Sequence, residues 1–190
     1  MPTKLAEEIV RFWKEVGPEG WYASDAALDE KIRARYGDIW QEARAGGLRQ
    51  WFGNPEGALG YLILTDQFPR NMFREDARAF ATDELARTAA QVCVDRKLDL
   101  HLPEPIRQFF YMPFMHAENL FDQDRCVCLI IARMHETGAH NLLHARAHRE
   151  VIRRHGRFPW RNELLGRRSS EGEQAFLAEG GYGAMVRELA

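Results

Sequence analysis

The sequence predicts an all-α protein of antiparallel stacked helices, and three observations carry that prediction. Apolar residues recur at three- and four-residue spacing along almost the whole chain. Asp, Asn, Ser or Thr stands just ahead of most of those stripes, where a helix needs a cap, and no convincing strand pair interrupts them. At 190 residues and 45% hydrophobic content, the chain suffices for one well-buried core and is short for two, so residues 1–190 are expected to form a single domain.

Leu5, Ile9, Phe12, Trp13 and Val16 form the first stripe, with Thr3 as cap and Gly17-Pro18 as stop. Leu28, Ile32, Ile39, Trp40 and Ala43 form the second behind an Asp25 cap, with a break at Gly37 and an end at Gly46-Gly47. Asn54-Pro55, a cap followed by proline at the first helical position, opens a third through Leu59, Leu62 and Ile63 to Gln67. Phe68-Pro69 is expected to end it, because proline lacks the N–H a continuing helix uses. An Ala-rich helical stretch over about residues 74–97 restarts near Thr82. Pro103 and Pro105 begin a short helix with Ile106, Phe109 and Phe110, and Pro113 is its expected terminator. A central helix over about residues 117–136 follows, then one over about 141–155 with His140 outside it, then a last one from Ser169 or Ser170.

A net charge of −2 and a pI near 6.4 argue against coating nucleic acid or an anionic membrane. The basic stretch at 146–168 does not change this, since Leu142, Leu143 and Ile152 claim the inner helix face and leave the arginines solvated. Cys93, Cys126 and Cys128 are an odd set read as reduced, buried thiols. Acidic residues follow Met1 closely, and the longest apolar run, 126–132, is far below membrane-spanning length, so a cytoplasmic protein without a membrane segment is expected.

The candidate site residues lie at three proline turns. Asp66-Gln67-Phe68-Pro69-Arg70-Asn71, with Arg74 beyond, and Gly156-Arg157-Phe158-Pro159-Trp160-Arg161-Asn162 share an aromatic-Pro pair followed by Arg and Asn. The Phe anchors each turn, the Pro stiffens it, and the guanidinium is held in a fixed direction, which suits a planar anion. Tyr111-Met112-Pro113-Phe114 leads into His116 and Glu118 at an expected helix start, where imidazole suits donation to an anion or acid/base work. The three turns are expected to face a common cleft. The competing reading is that Asp66, Glu118 and the arginines satisfy one another inside the fold and need no ligand.

His140, His144 and His148 recur at four-residue spacing, which can serve a metal but is read here as capping and polar-network chemistry, with no metal or cofactor expected. His135-Glu136 misses the zinc-protease spacing by one residue, and no phosphate-binding glycine loop, dinucleotide fingerprint, nucleophile elbow or Cys-His signature occurs.

Taken together, residues 66–71, Tyr111 to Phe114 with His116 and Glu118, and His148 through Ile152 into 156–167 resemble an uncharacterised bacterial family known only as a domain of unknown function. Phe12-Trp13 and residues 28–33 extend the resemblance over nearly the whole chain. It implies a tetratricopeptide-like stacking of helices and no established activity. Trp160 stands where the family pattern has His, and His155 where it has Phe.

Two function classes follow. In one, Asp66, Arg70, Asn71, Arg74, Arg157, Arg161 and Asn162 bind a small carboxylate or phosphate while His116 or His148 moves a proton, oriented by Glu118 or Asp66. In the other, the protein is a non-catalytic tetratricopeptide-like module for an acidic or phosphorylated peptide.

Overall fold

The computed structural model describes residues 2–190, with side chains from Lys4 onward, so the Thr3 cap lies outside the described side chains. Ten α-helices and short connecting turns follow one another, and no strand occurs among the described residues. The protein is all-α. The chain parts into two compact units, Met1–Pro113 and Phe114–Ala190.

The first unit holds α1 (Pro2–Trp21), α2 (Ala26–Arg44), α3 (Pro55–Leu62), α4 (Phe68–Met72) and α5 (Asp83–Asp95). Gly17 leaves the helical region at φ 72 and ψ 171, so Gly17-Pro18 breaks α1 without ending it. The Asp25 carboxylate accepts from the amides of Ala27 at 2.8 Å and Leu28 at 3.2 Å, which caps α2. Gly37 does not break α2, contrary to expectation, because buried Ile32, Tyr36, Trp40 and Ala43 hold the helix against the core on both sides of it. The Asn54 side chain accepts from the Gly57 amide at 2.7 Å, with Pro55 at the first helical position of α3.

Phe68-Pro69 does not end the third helix. The chain widens over Ile63–Gln67 into a π-helical turn, in which the Phe68 amide reaches back to the Ile63 carbonyl, and helix resumes as α4 until Phe73. Pro69 has no N–H for the Thr65 carbonyl four residues back. The Thr82 hydroxyl donates to that carbonyl instead at 2.6 Å and itself accepts from the Trp40 indole N–H at 3.1 Å. Arg70 Nη1 likewise donates to the Asp66 carbonyl at 2.6 Å. A side chain from outside the helix thus supplies the donor that Pro69 lacks. Phe68 is fully buried, with its ring 5.5 Å from Trp13, 4.9 Å from Tyr36 and 6.1 Å from Phe12 between centroids. Pro113 lies inside α6 (Met112–Met115), the short helix at the boundary of the units, so it opens a turn of helix instead of terminating one.

The second unit holds α7 (Leu120–Arg133), α8 (Gly138–His155), α9 (Glu171–Ala178) and α10 (Gly181–Leu189). Asn119 caps α7 by accepting from the Asp122 amide at 2.9 Å. His116 and Glu118 therefore precede the cap and are not on a helix start as expected. α8 begins at Gly138, so His140 is helical, a second correction. Gly156 at φ 70 ends α8 with its amide on the Ile152 carbonyl. Phe158 is then extended, and Pro159–Arg161 make one tight turn. Ser170 and Glu173 form a reciprocal capping box for α9, and Gly180 and Gly181, at φ 100 and 52, split the expected last helix into α9 and α10.

Val151, Ile152, Phe158 and Met185 belong to one buried apolar cluster of this unit, with Trp160, Phe176 and Tyr182 packed against it. Cys126 is buried but Cys128 is exposed, which corrects the expectation for all three thiols. Two residues apart on a helix means about 200° of rotation, so both cannot face the same core. No described helix is long and apolar enough to cross a membrane.

Candidate functional site

In the first unit the turn arginines are held by carboxylates. Arg70 donates from Nη1 and Nη2 to Asp83 at 2.9 and 3.0 Å, while Asp66 Oδ1 stands farther off at 3.5 Å. The principal partner of Arg70 is therefore Asp83, where the sequence pointed to Asp66. Asp66 is fully buried and accepts from Gln67 Nε2 at 2.5 Å. Arg74 chelates Asp29 through Nε and Nη2, and Asn71 donates to the same carboxylate at 2.8 Å. Burial pushes Asp29 up, but the hydrogen bonds from Arg74 and Asn71 outweigh it and hold the acid below its ordinary range. The Tyr22 hydroxyl donates to Gln108 at 2.6 Å, and burial followed by the charge of Asp66 raises its pKa.

In the second unit Glu118 acts as a strut. It accepts from the Phe158 amide at 2.9 Å and from both terminal nitrogens of Arg167 at 2.5 and 2.9 Å, which ties the loop before α7 to the turn after α8. Burial pushes Glu118 up, yet Arg167 and the Phe158 amide hold it below the usual carboxylate range. Arg157 chelates the buried Glu173 at 2.6 and 2.8 Å, and Glu173 is lowered to about 2 by that contact above all. Asn162 donates to the Ser169 hydroxyl at 3.0 Å. Arg161, 7% exposed, lies over the Phe158 ring at 4.6 Å.

His148 is the centre of this unit's chemistry. Its Nδ1 is 2.9 Å from the His144 carbonyl, which can only accept, so Nδ1 carries the proton and the neutral ring keeps its lone pair on Nε2. Ring centroids of Tyr182, Phe158, Trp160 and His116 lie 4.6, 5.3, 6.1 and 6.3 Å away. Burial first, then the charges of His116, Arg161 and His144, lower its pKa to about 3. His148 as a whole residue is half-buried. His144 Nδ1 and the Tyr182 hydroxyl share a hydrogen bond at 2.5 Å, and exposed His140 packs against His144 at 4.4 Å. Among the described residues no three His, Cys, Asp or Glu side chains converge as metal ligands.

His116, His148 and Arg161 are thus brought together, while Arg157 and Glu118 are engaged in tying the turn in place. Sequence reading missed Tyr182 and Asp29. A tyrosine between two glycines carries no signal, and Asp29 sits in the first turn of α2, where an acid is explained by the helix dipole alone.

The fold recurs in a protein described as being of unknown function. A solved structure of a protein of unknown function from Agrobacterium tumefaciens is 40% identical to this chain, covers 93% of it and 98% of its own length, and superposes with a TM-score of 0.88. No curated protein matches. The family model described as "Bacterial protein of unknown function" matches residues 9–181. Over that span this chain belongs to the DUF924 family.

Proposed function

We propose that the protein binds a small anionic ligand, a carboxylate or phosphate, at the His148 cluster, and that His148 and His116 handle a proton there. The observation that carries this is the held neutral ring: Nδ1 fixed on the His144 carbonyl, the lone pair therefore on Nε2, aromatic walls of Tyr182 and Trp160, and the Arg161 charge beside it. Arg161 attracts the anion, and Nε2 accepts the proton of an acidic O–H or takes one up when the anion arrives. Arg157, Glu118 and Asn162 serve by fixing the Phe158-Pro159 turn that carries Arg161. Arg70, Arg74, Asn71 and Asp66 do the same for the first unit's turn. We place the protein in the cytoplasm, in keeping with three free thiols.

A thermal-shift series with phosphate, citrate and simple dicarboxylates tests the proposal. Stabilisation by at least one anion, lost in both Arg161→Gln and His148→Gln, is the expected result. No stabilisation by any anion, or equal stabilisation of both variants, overturns it.

The alternative, a non-catalytic tetratricopeptide-like module for an acidic or phosphorylated peptide, draws support from the outward face of α7, where Phe121 is 74% and Ile131 51% exposed. That reading expects peptide binding to survive His148→Gln and to fail in Phe121→Ser.

A further inference from the structure

A groove of about 510 Å³ opens in the first unit, between α2 and the turn that follows α4. Its size falls in the usual range for small-ligand pockets. Asp29, Arg33, Asn71, Phe73, Arg74, Glu75, Asp76 and Arg78 contribute to its lining. Three arginines face three carboxylates, so the lining is neutral as a whole. A polyanion such as a nucleotide would meet as many acids as guanidiniums.

The arginines differ in what they have left to offer. Arg33 is fully engaged, with Nε and Nη2 on the Met72 carbonyl and Nη1 on Glu30. Arg74 has Nε and Nη2 on Asp29, and Arg78 has Nε and Nη2 on Asp76 at 3.0 and 2.8 Å. Each of these two is chelated along one edge, which fixes the plane of the fork, and each keeps an Nη1 with no acceptor among the described residues. Arg78 is further pinned 4.5 Å over the Phe73 ring. Glu75, exposed between them in sequence, has no partner among the described residues.

We infer that this groove is a binding site for a small zwitterion of the amino-acid type, its carboxylate on Arg74 and Arg78, its ammonium at Glu75 and its apolar side group beside the Arg78–Phe73 stack. The neutral lining matches a ligand of zero net charge, and the two open Nη1 groups match one carboxylate. The site does not depend on the His148 proposal.

Calorimetric titration of the full chain with L-phenylalanine, 3-phenylpropionate and 2-phenylethylamine tests it. The amino acid is expected to saturate a single site, and each analogue, lacking one charge, to bind at least about tenfold more weakly. Glu75→Gln and Arg78→Gln, both changes on exposed side chains, are expected to lower affinity for L-phenylalanine by a similar factor, while His148→Gln leaves it unchanged. Absence of saturation, a carboxylate analogue that binds as tightly as the amino acid, or unaltered affinity in both groove variants overturns the inference.

Discussion

Arg70 holds Asp83 with two nitrogens and the Asp66 carbonyl with one, and both side chains of the ion pair are only 21% exposed. Removing the guanidinium strands a largely desolvated carboxylate, so Arg70→Gln is expected to cost about 3 kcal/mol in denaturant melts. A loss under about 1 kcal/mol would mean that Asp83 finds water readily. His148 makes the opposite kind of prediction. Unfolded, it titrates near 6.5, and folded, at about 3. Between those values the unfolded chain binds a proton that the folded one does not, so stability falls as pH drops through that window. Going from pH 7 to about 5.5 is expected to cost about 1 kcal/mol more in the native protein than in His148→Gln. His144, lowered by burial and then by His140, adds the same sign, whereas Glu173 contributes only below its ordinary 4.5. The residue types at the turns were legible in sequence. Their partners were not, because Asp29 is 45 residues from Arg74 and Asp83 is 13 from Arg70, and only the fold brings them together.

Caps were the most readable feature at the scale of elements. Asp25, Asn54 and Ser170 each bond the amides their positions foretell, since capping is a contact between residues two or three apart. Pro69 was misread for the complementary reason, and Pro113 because it stands in the first turn of α6, where its missing N–H is not needed. Around Pro69 the helix widens into a π turn, and the Thr65 carbonyl takes its bond from Thr82, on the far side of a turn. Thr82→Val leaves both the Thr65 carbonyl and the Trp40 indole without their bond, with an expected loss of about 1–3 kcal/mol by chemical denaturation. Gly60 makes a separate test of packing. A Cβ there would sit 2.7 Å from the Ala6 carbonyl oxygen and 2.9 Å from its Cα, so Gly60→Ala forces α1 and α3 apart, with an expected cost of about 1–3 kcal/mol in the same melts.

The all-α class was legible for the molecule as a whole, because helical spacing persists in every segment that carries the core. The chemistry was legible only as residue types, since the environment of His148 depends on Tyr182, which sits 34 residues away in sequence. That residues 1–190 unfold as one domain remains our proposal, and tryptophan reports on it: Trp13, Trp21, Trp40 and Trp51 lie in the first unit and Trp160 in the second. Coincident unfolding curves from circular dichroism and fluorescence are expected, and two separated midpoints would contradict it. The central claim, an anion site at a neutral histidine, is tested most directly by a nuclear magnetic resonance titration of the His148 ring, with and without phosphate. The account predicts a ring protonated on Nδ1 and neutral far below pH 6.5 in the free protein, whose titration point rises on adding phosphate and does not move in Arg161→Gln. A ring that titrates near 6.5 and ignores phosphate would contradict it.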